Sequence, residues 1–313
     1  MAVYVVGDFL RETRLRKGYT QEEVSYGICT PASLSRIENG MQKPGRLILE
    51  KLFERLGTEN NLFNSFVSKE EMELYLEIQT LIRNVTDGDL HRIEEQIDIV
   101  EKLTQNTSEL ERQSLFWAKG TLAAQKYGNN EKAIEWLMRA IQITLPDFDG
   151  KNPLRNHLLT FDEITIINSI AVRHGEKGDL LTAIQLDMWL KEYMENKIVD
   201  GKMKTAKYPM ILYNLSYWLG DENCHNEALK MAEQGVDYCV KYGNLPALPT
   251  LIFNKGAALA ELGRSDEAKK CFFQSITIFE AMKKPAQVQI AIDWCREHYQ
   301  MEIQYPPSMG PNA

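Results

Sequence analysis

The chain has 313 residues, 44 % of them hydrophobic and 26 % charged, a balance that excludes a largely disordered protein. Its formal net charge of -8 excludes a protein that coats nucleic acid without selectivity, and no stretch approaches the roughly 18 consecutive apolar residues of a membrane span. The charge is unevenly spread: residues 1–57 carry nine Lys or Arg against seven Asp or Glu, while the rest carries 27 against 37. Phosphate contacts need a local basic surface rather than a basic chain, so this split permits a small DNA-binding head on an acidic body.

In chain order, residues 1–10 show neither a basic n-region nor a long apolar core, so no signal peptide is expected. A helical pattern over residues 8–17 stops at Gly18, where a left-handed cap favours glycine. Thr20-Gln21-Glu22-Glu23 reads as a capping box opening a second helix over residues 21–28. Thr30-Pro31 reads as an N-cap followed by proline at the first helical position. The third helix then runs to Asn39-Gly40. Pro44 precedes a fourth, with Leu49, Leu52 and Leu56 on one face, and Val24, Ile28, Leu34 and Ile37 supply the contacts between helices two and three.

Two short helices joined by a tight turn inside a four-helix unit fit a helix-turn-helix, whose second helix enters the major groove. Thr30, Pro31, Ala32 and Ser33 then face base edges with small side chains. Arg36, one turn on, is the candidate for a guanine contact, because its planar fork matches O6 and N7. Ser35 beside it joins the candidate set. Gln21, Thr30, Ser33, Lys43 and Arg46 sit at helix starts or in the following loop, where phosphate contacts are expected.

This stretch resembles the Cro/repressor-type helix-turn-helix family over about 50 residues, through Gly7, Leu10, Arg14, Thr20 to Val24, Leu34 to Gly40, Pro44, Leu49, Leu52 and Leu56. The resemblance implies an ion pair between Arg14 and Glu38. The segment before the third helix is one residue shorter than in phage repressors, and the usual turn glycine is read as replaced by Ile28 or Cys29.

Beyond Gly57 four segments share a layout of apolar helix, short turn and second helix with an early alanine. The turns are at residues 127–130, 176–179, 221–224 and 262–265, and the alanines are Ala133, Ala183, Ala228 and Ala268. A weaker pair spans residues 70–103 and turns at 86–89. Layout and small-residue position resemble tetratricopeptide repeats, with Gly256, Ala257, Leu262-Gly263, Ala268 and Phe272-Phe273 the best single match. Such hairpins bury their apolar faces only by stacking, which makes a superhelix with a concave surface, capped here by a last helix near residues 286–301. The fold class is therefore all-α: a helix-turn-helix domain with linker over residues 1–66, then a tetratricopeptide-like superhelix over 67–305 for ligand sensing and dimerisation. The tail, Pro306 to Pro311, is expected to fray.

Aligned on the alanines, Asn168, Asn214 and Asn254 occupy one inward position of the first helix of their pairs, and Lys119 holds the same place in another. An asparagine offers an acceptor and two donors, which suits an extended peptide backbone. Arg173, Tyr213, Tyr217 and Phe253 lie nearby and supply side-chain pockets. The plainer alternative is that these asparagines satisfy helix ends or hold water within the array.

Head and repeats together resemble the peptide-pheromone-responsive regulators of Gram-positive bacteria, the Rgg/PlcR/PrgX type. The features closest to the PlcR-like branch are Ile28-Cys29, Ser35-Arg36-Ile37-Glu38, Asn168-Ser169-Ile170-Ala171 and Tyr213-Asn214. The resemblance implies a homodimer whose two heads read two half-sites of double-stranded DNA under control of a short signalling peptide. It also places Arg83 where a basic residue holds the peptide's C-terminal carboxylate. The alternative is a DNA-binding regulator whose repeats bind a protein partner or only dimerise.

The five cysteines, Cys29, Cys224, Cys239, Cys271 and Cys295, include no C-x-x-C pair, so a reducing cytoplasm is the expected location. The five histidines have no metal-ligand spacing, and no P-loop, dinucleotide fingerprint or G-x-S-x-G occurs. Neither catalysis nor a cofactor or metal is expected.

Overall fold

The computed structural model describes residues 6–58, 69–105, 109–154, 156–197, 199 and 201–303, and the tail expected to fray lies outside them. Among the described residues there are α-helices and one short 3-10 turn, Glu109–Arg112, but no strand. The chain divides between Met203 and Lys204 into two compact units.

The first unit begins with the four-helix head: α1 (Val6–Arg16), α2 (Gln21–Ser25), α3 (Pro31–Glu38) and α4 (Arg46–Arg55). Local chemistry sets their ends. Gly18 adopts φ +76°, which ends α1 where a side chain would be strained. Thr20 accepts the Glu23 N–H at 3.1 Å while the Glu23 carboxylate accepts the Thr20 N–H at 2.7 Å, the reciprocal cap read from the sequence. Thr30 caps α3, with Pro31 behind it. The expected core forms, with Leu10, Val24, Leu34, Ile37, Leu49, Leu52 and Leu56 all buried.

Two expectations need correction. The second helix ends at Ser25 rather than near residue 28, and the turn keeps a glycine. Gly27 adopts φ +67°, and a Cβ there would lie 2.0 Å from the Thr144 carbonyl oxygen. The backbone reverses at Gly27, which leaves Ile28 free to bury its side chain in the head core.

Six repeat helices complete this unit: α5 (Lys69–Asp87), α6 (Leu90–Leu103), α7 (Gln113–Gln125), α8 (Asn130–Ile141), α9 (Phe161–Glu176) and α10 (Leu180–Asn196). They pair as α5/α6, α7/α8 and α9/α10, turning where the Gly and Asn clusters predict. Ala133 and Ala183 are fully buried at the pair interfaces. Thr160 and Glu163 form a second capping box at the start of α9.

The second unit holds α11 (Gly201–Asp221) from Lys204 onward, α12 (His225–Tyr242), α13 (Leu248–Glu261), α14 (Ser265–Ala281) and the capping helix α15 (Pro285–Tyr299). Pro209 lies inside α11 and has no N–H to offer the Thr205 carbonyl one turn back. Asn244 supplies the missing donor, its Nδ2 2.7 Å from that oxygen. The core packs Phe272 between Phe253 and Tyr299, with ring centroids 5.0 and 5.6 Å away. Ala228 and Ala268 are buried at the small-residue positions.

Candidate nucleic-acid interface and repeat cavities

The head presents the start of α3 to solvent. Thr30, Pro31, Ala32 and Arg36 are exposed and Ser33 and Ser35 are half-buried. The Arg36 guanidinium lies along the surface, donating to Gln42 Oε1 at 3.2 Å and Ser33 Oγ at 3.3 Å. Both partners are neutral and only half-buried, so a base edge displaces them at little cost. Glu38 faces inward instead: Arg14 grips it in a two-point pair at 2.6 and 2.8 Å. Gln21 joins them, its Nε2 2.7 Å from Glu38. The Gln21 side chain, expected at phosphate, is thus occupied in bracing α2 on α3. Lys43 is exposed beyond the turn. Arg46 is turned to protein, 3.1 Å from Glu50 and stacked 4.4 Å above the Tyr75 ring.

The opposite face of α4 is buried in the repeats. Leu110 and Leu158 belong to the head core itself. Lys51, 2 % exposed, reaches Gln113 Oε1 and Asp162 Oδ2, each at 2.7 Å. One turn on, Arg55 Nη2 lies 2.7 Å from Glu163 Oε1, and its Nη1 donates to the Tyr26 carbonyl. Tyr26 in turn donates to Asp147 at 2.5 Å, and the pair lifts the Tyr26 phenol: burial first, then the Asp147 carboxylate, push it to about 12. The two acids occupy the first turn of α9, where the helix dipole favours negative charge. Lys51 and Arg55 are four residues apart and so share a helical face.

Glu54 lies between them and accepts the Phe161 N–H at 3.2 Å. Burial, and then the charge of Asp162, push its carboxyl up to about 8. A neutral Glu54 leaves two cations facing two anions. Because the folded-state value lies above the ordinary one, the folded chain holds this proton where the unfolded chain has lost it. Stability from this group is therefore present at mildly acidic pH and declines as pH rises toward 8. Glu54→Gln retains an acceptor for Phe161 without the titration. Relative to the parent, the variant should gain stability steadily between pH 5.5 and 8.5 in urea denaturation; parallel pH profiles would contradict the assignment.

In the first unit's repeats, Asn168 on α9 is 7 % exposed, and its Nδ2 lies 3.1 Å from both oxygens of the fully buried Asp187. The donor half of its amide is therefore engaged inside the α9/α10 pair. Lys119 pairs with Glu101 at 2.7 Å and sits 4.9 Å from the Trp136 ring centre. Arg173 pairs with Glu176 at 2.8 Å and donates to Asn130 at 3.3 Å. Arg83 is exposed on α5.

In the second unit, Asn254 on α13 brackets α11, donating to Ser216 Oγ at 2.8 Å and the Tyr213 carbonyl at 3.3 Å. Asn214 is buried, Tyr213 half-buried and Tyr217 exposed. Two cavities open here. One, of about 410 Å³, is lined by Phe253, Phe279, Met282, Ile290, Trp294 and Lys284 among others. The other, of about 360 Å³, is lined by Tyr217, Asp221, His225, Asn254, Glu261 and again Trp294. Among the candidates, Tyr217, Phe253 and Asn254 therefore line cavities. Sequence reasoning did not find Trp294, Asp221 or Glu261, which lie outside the asparagine register.

Among the described residues no group of three His, Cys, Asp or Glu side chains is placed to hold a metal ion, and no helix is long and apolar enough to cross a membrane. Residues 82–299 match the model of the RNPP family C-terminal domain, and residues 10–59 match a helix-turn-helix model. The chain belongs to the RNPP family. Over 63 residues the chain is 38 % identical to the uncharacterized HTH-type transcriptional regulator YqaF of Bacillus subtilis, covering 20 % of this chain and 83 % of that one. The whole chain resembles Bacillus thuringiensis PlcR, crystallised with the peptide PapR7 and DNA, at 18 % identity and a TM-score of 0.61. That match covers 92 % of this chain and 99 % of PlcR. Apo PlcR gives 17 % identity and 0.57 over 92 % and 98 %. This RNPP protein is thus an all-α helix-turn-helix transcription regulator with tetratricopeptide-like repeats, not an enzyme.

Proposed function

We propose that this RNPP regulator binds a specific operator through α3 of its head, residues 1–66, under control of a short signalling peptide held by the repeats, residues 67–305. The observation that carries the peptide reading is the pair of cavities in the second unit, lined by two residues singled out for side-chain pockets, Tyr217 and Phe253, and by Asn254 of the backbone-pairing set. The likeness to PlcR, which was crystallised with a peptide and DNA, supports the same division of labour. With the Nδ2 groups of Asn168 and Asn254 engaged internally, these residues position the helices that frame the ligand and offer it their acceptors. Arg83, Lys119, Arg173, Tyr213 and Asn214 complete the candidate set.

The protein acts as a homodimer, so that two heads meet half-sites spaced by a whole number of DNA turns. The peptide shifts the heads only to the extent that it binds one arrangement more tightly than the other. The test of the reading head is Arg36→Ala on a duplex selected from random sequence by the full-length protein. Loss of a two-point guanine contact should cost about 1–3 kcal/mol of specific binding and relax selectivity at one base pair. Equal affinity and selectivity in the variant would remove Arg36 from base readout.

A further inference from the structure

We infer that the two cavities flanking Trp294 form one paired subsite, taking a large apolar side chain on one side of the indole and a cationic group of the same peptide on the other. The inference rests on the peptide reading above and specifies the chemistry that reading leaves open.

The first cavity has room for a whole Phe, Leu or Met side chain, and its mainly apolar walls include two phenyl rings, a thioether, an isoleucine and the indole, with Thr250, Gln287 and Lys284 also lining it. Ile290 lines it while remaining 65 % exposed. An apolar group there covers surface now facing water. Burial of one large side chain is worth on the order of ten- to a hundredfold in affinity.

The second cavity differs in charge. Its lining includes two carboxylic acids, Asp221 and Glu261, beside His225 and His298. Tyr217 and Tyr299 line the same cavity. Partial burial lifts the Asp221 carboxyl above its usual range; the Tyr217 hydroxyl opposes that rise, while the like charge of Glu222 adds to it. Such a carboxylate is poised for an incoming cation. The Nδ1 atom of His225, in the same cavity, is buried without a hydrogen-bond partner, a polar atom that a ligand backbone can satisfy. Lys284, which also lines the apolar cavity, disfavours a cation there. Trp294 lines both cavities, and the His298 ring stacks on one of its faces with centroids 3.8 Å apart.

The test uses the full-length protein and positional-scanning pools of hexapeptides, with free or acetylated N-termini. Retained pools should carry Phe, Leu or Met within two residues of a positive charge. If that charge is a Lys or Arg side chain, norleucine in its place abolishes retention and acetylation does not; if it is the terminal ammonium, the reverse holds. Asp221→Asn combined with Glu261→Gln, at exposed positions that leave the fold intact, should weaken the selected peptide at least about tenfold. The same peptide stripped of its charge should bind variant and parent equally. Ile290→Asp should weaken both peptides. Retained pools lacking the apolar–cationic pair, or variants that bind like the parent, would overturn this inference alone. Retention of no pool would overturn the peptide reading and this inference with it.

Discussion

Arg55→Ala is expected to lower the free energy of unfolding by about 3–5 kcal/mol. The Arg55 side chain is 1 % exposed and Glu163 fully buried, with Nη2 and Oε1 2.7 Å apart. Alanine strands the Glu163 charge inside the protein, where the Thr160 N–H at 2.6 Å remains to meet it. It also strips the Tyr26 carbonyl of the Arg55 donor. The cost is that of an uncompensated buried charge, not the net worth of the pair. Adding Glu163→Gln removes that charge and keeps an acceptor for the cap, so Arg55→Met with Glu163→Gln should recover part of the loss. Urea denaturation of the three proteins checks this. An Arg55→Ala midpoint equal to the parent's would mean that the head is not anchored to α9.

Phe272→Ala should be of similar size, about 3–5 kcal/mol, in the unfolding of the second unit. Phe272 is fully buried, and the chain has opened space for it. A Cβ on Gly256 would lie 2.8 Å from the ring. Removing the phenyl group leaves a void that neither Phe253 nor Tyr299 can fill without losing its own contacts. Because Phe253 walls the apolar cavity, the variant should also blur the subsite for a large side chain. Phe272→Leu should cost clearly less, since it retains most of the volume. Equal thermal midpoints for the two variants would show that Phe272 is not packed as described.

Much of this molecule is local and therefore legible in sequence. The Thr20–Glu23 cap, the Thr30-Pro31 start of α3, the Gly18 stop and the buried alanines each act within one turn or one hairpin. Their residue types announce the geometry they require. Arg14 with Glu38 came only from resemblance, because nothing within a few residues of either signals the other.

What escaped is non-local. Lys51 and Arg55 carry no local signal of their role; their partners lie 111 and 108 residues away. The amide of Asn168 was read as facing ligand because its register matched Asn214 and Asn254. Register gives the helix face, but Asp187 on the neighbouring helix decides where the donor goes. Gly27 was overlooked because the turn was aligned one or two residues late, although its glycine is the residue type a left-handed turn demands. Trp294 was missed since its helix was read as a cap, and a cap still presents one face to the preceding pair.

The anchoring of α4 to α9 bears on control. A head fixed by Lys51 and Arg55 to the start of the helix that carries Asn168 and Arg173 cannot move independently of it. Under the proposed function, a ligand that shifts α9 shifts the head with it. The most direct test is the affinity of the full-length regulator for its selected operator, with and without the peptide it retains when purified from its native host. The account predicts that the two affinities differ by about 5- to 150-fold, the usual span of coupling between sites. A tightly retained peptide that leaves operator affinity unchanged would contradict it.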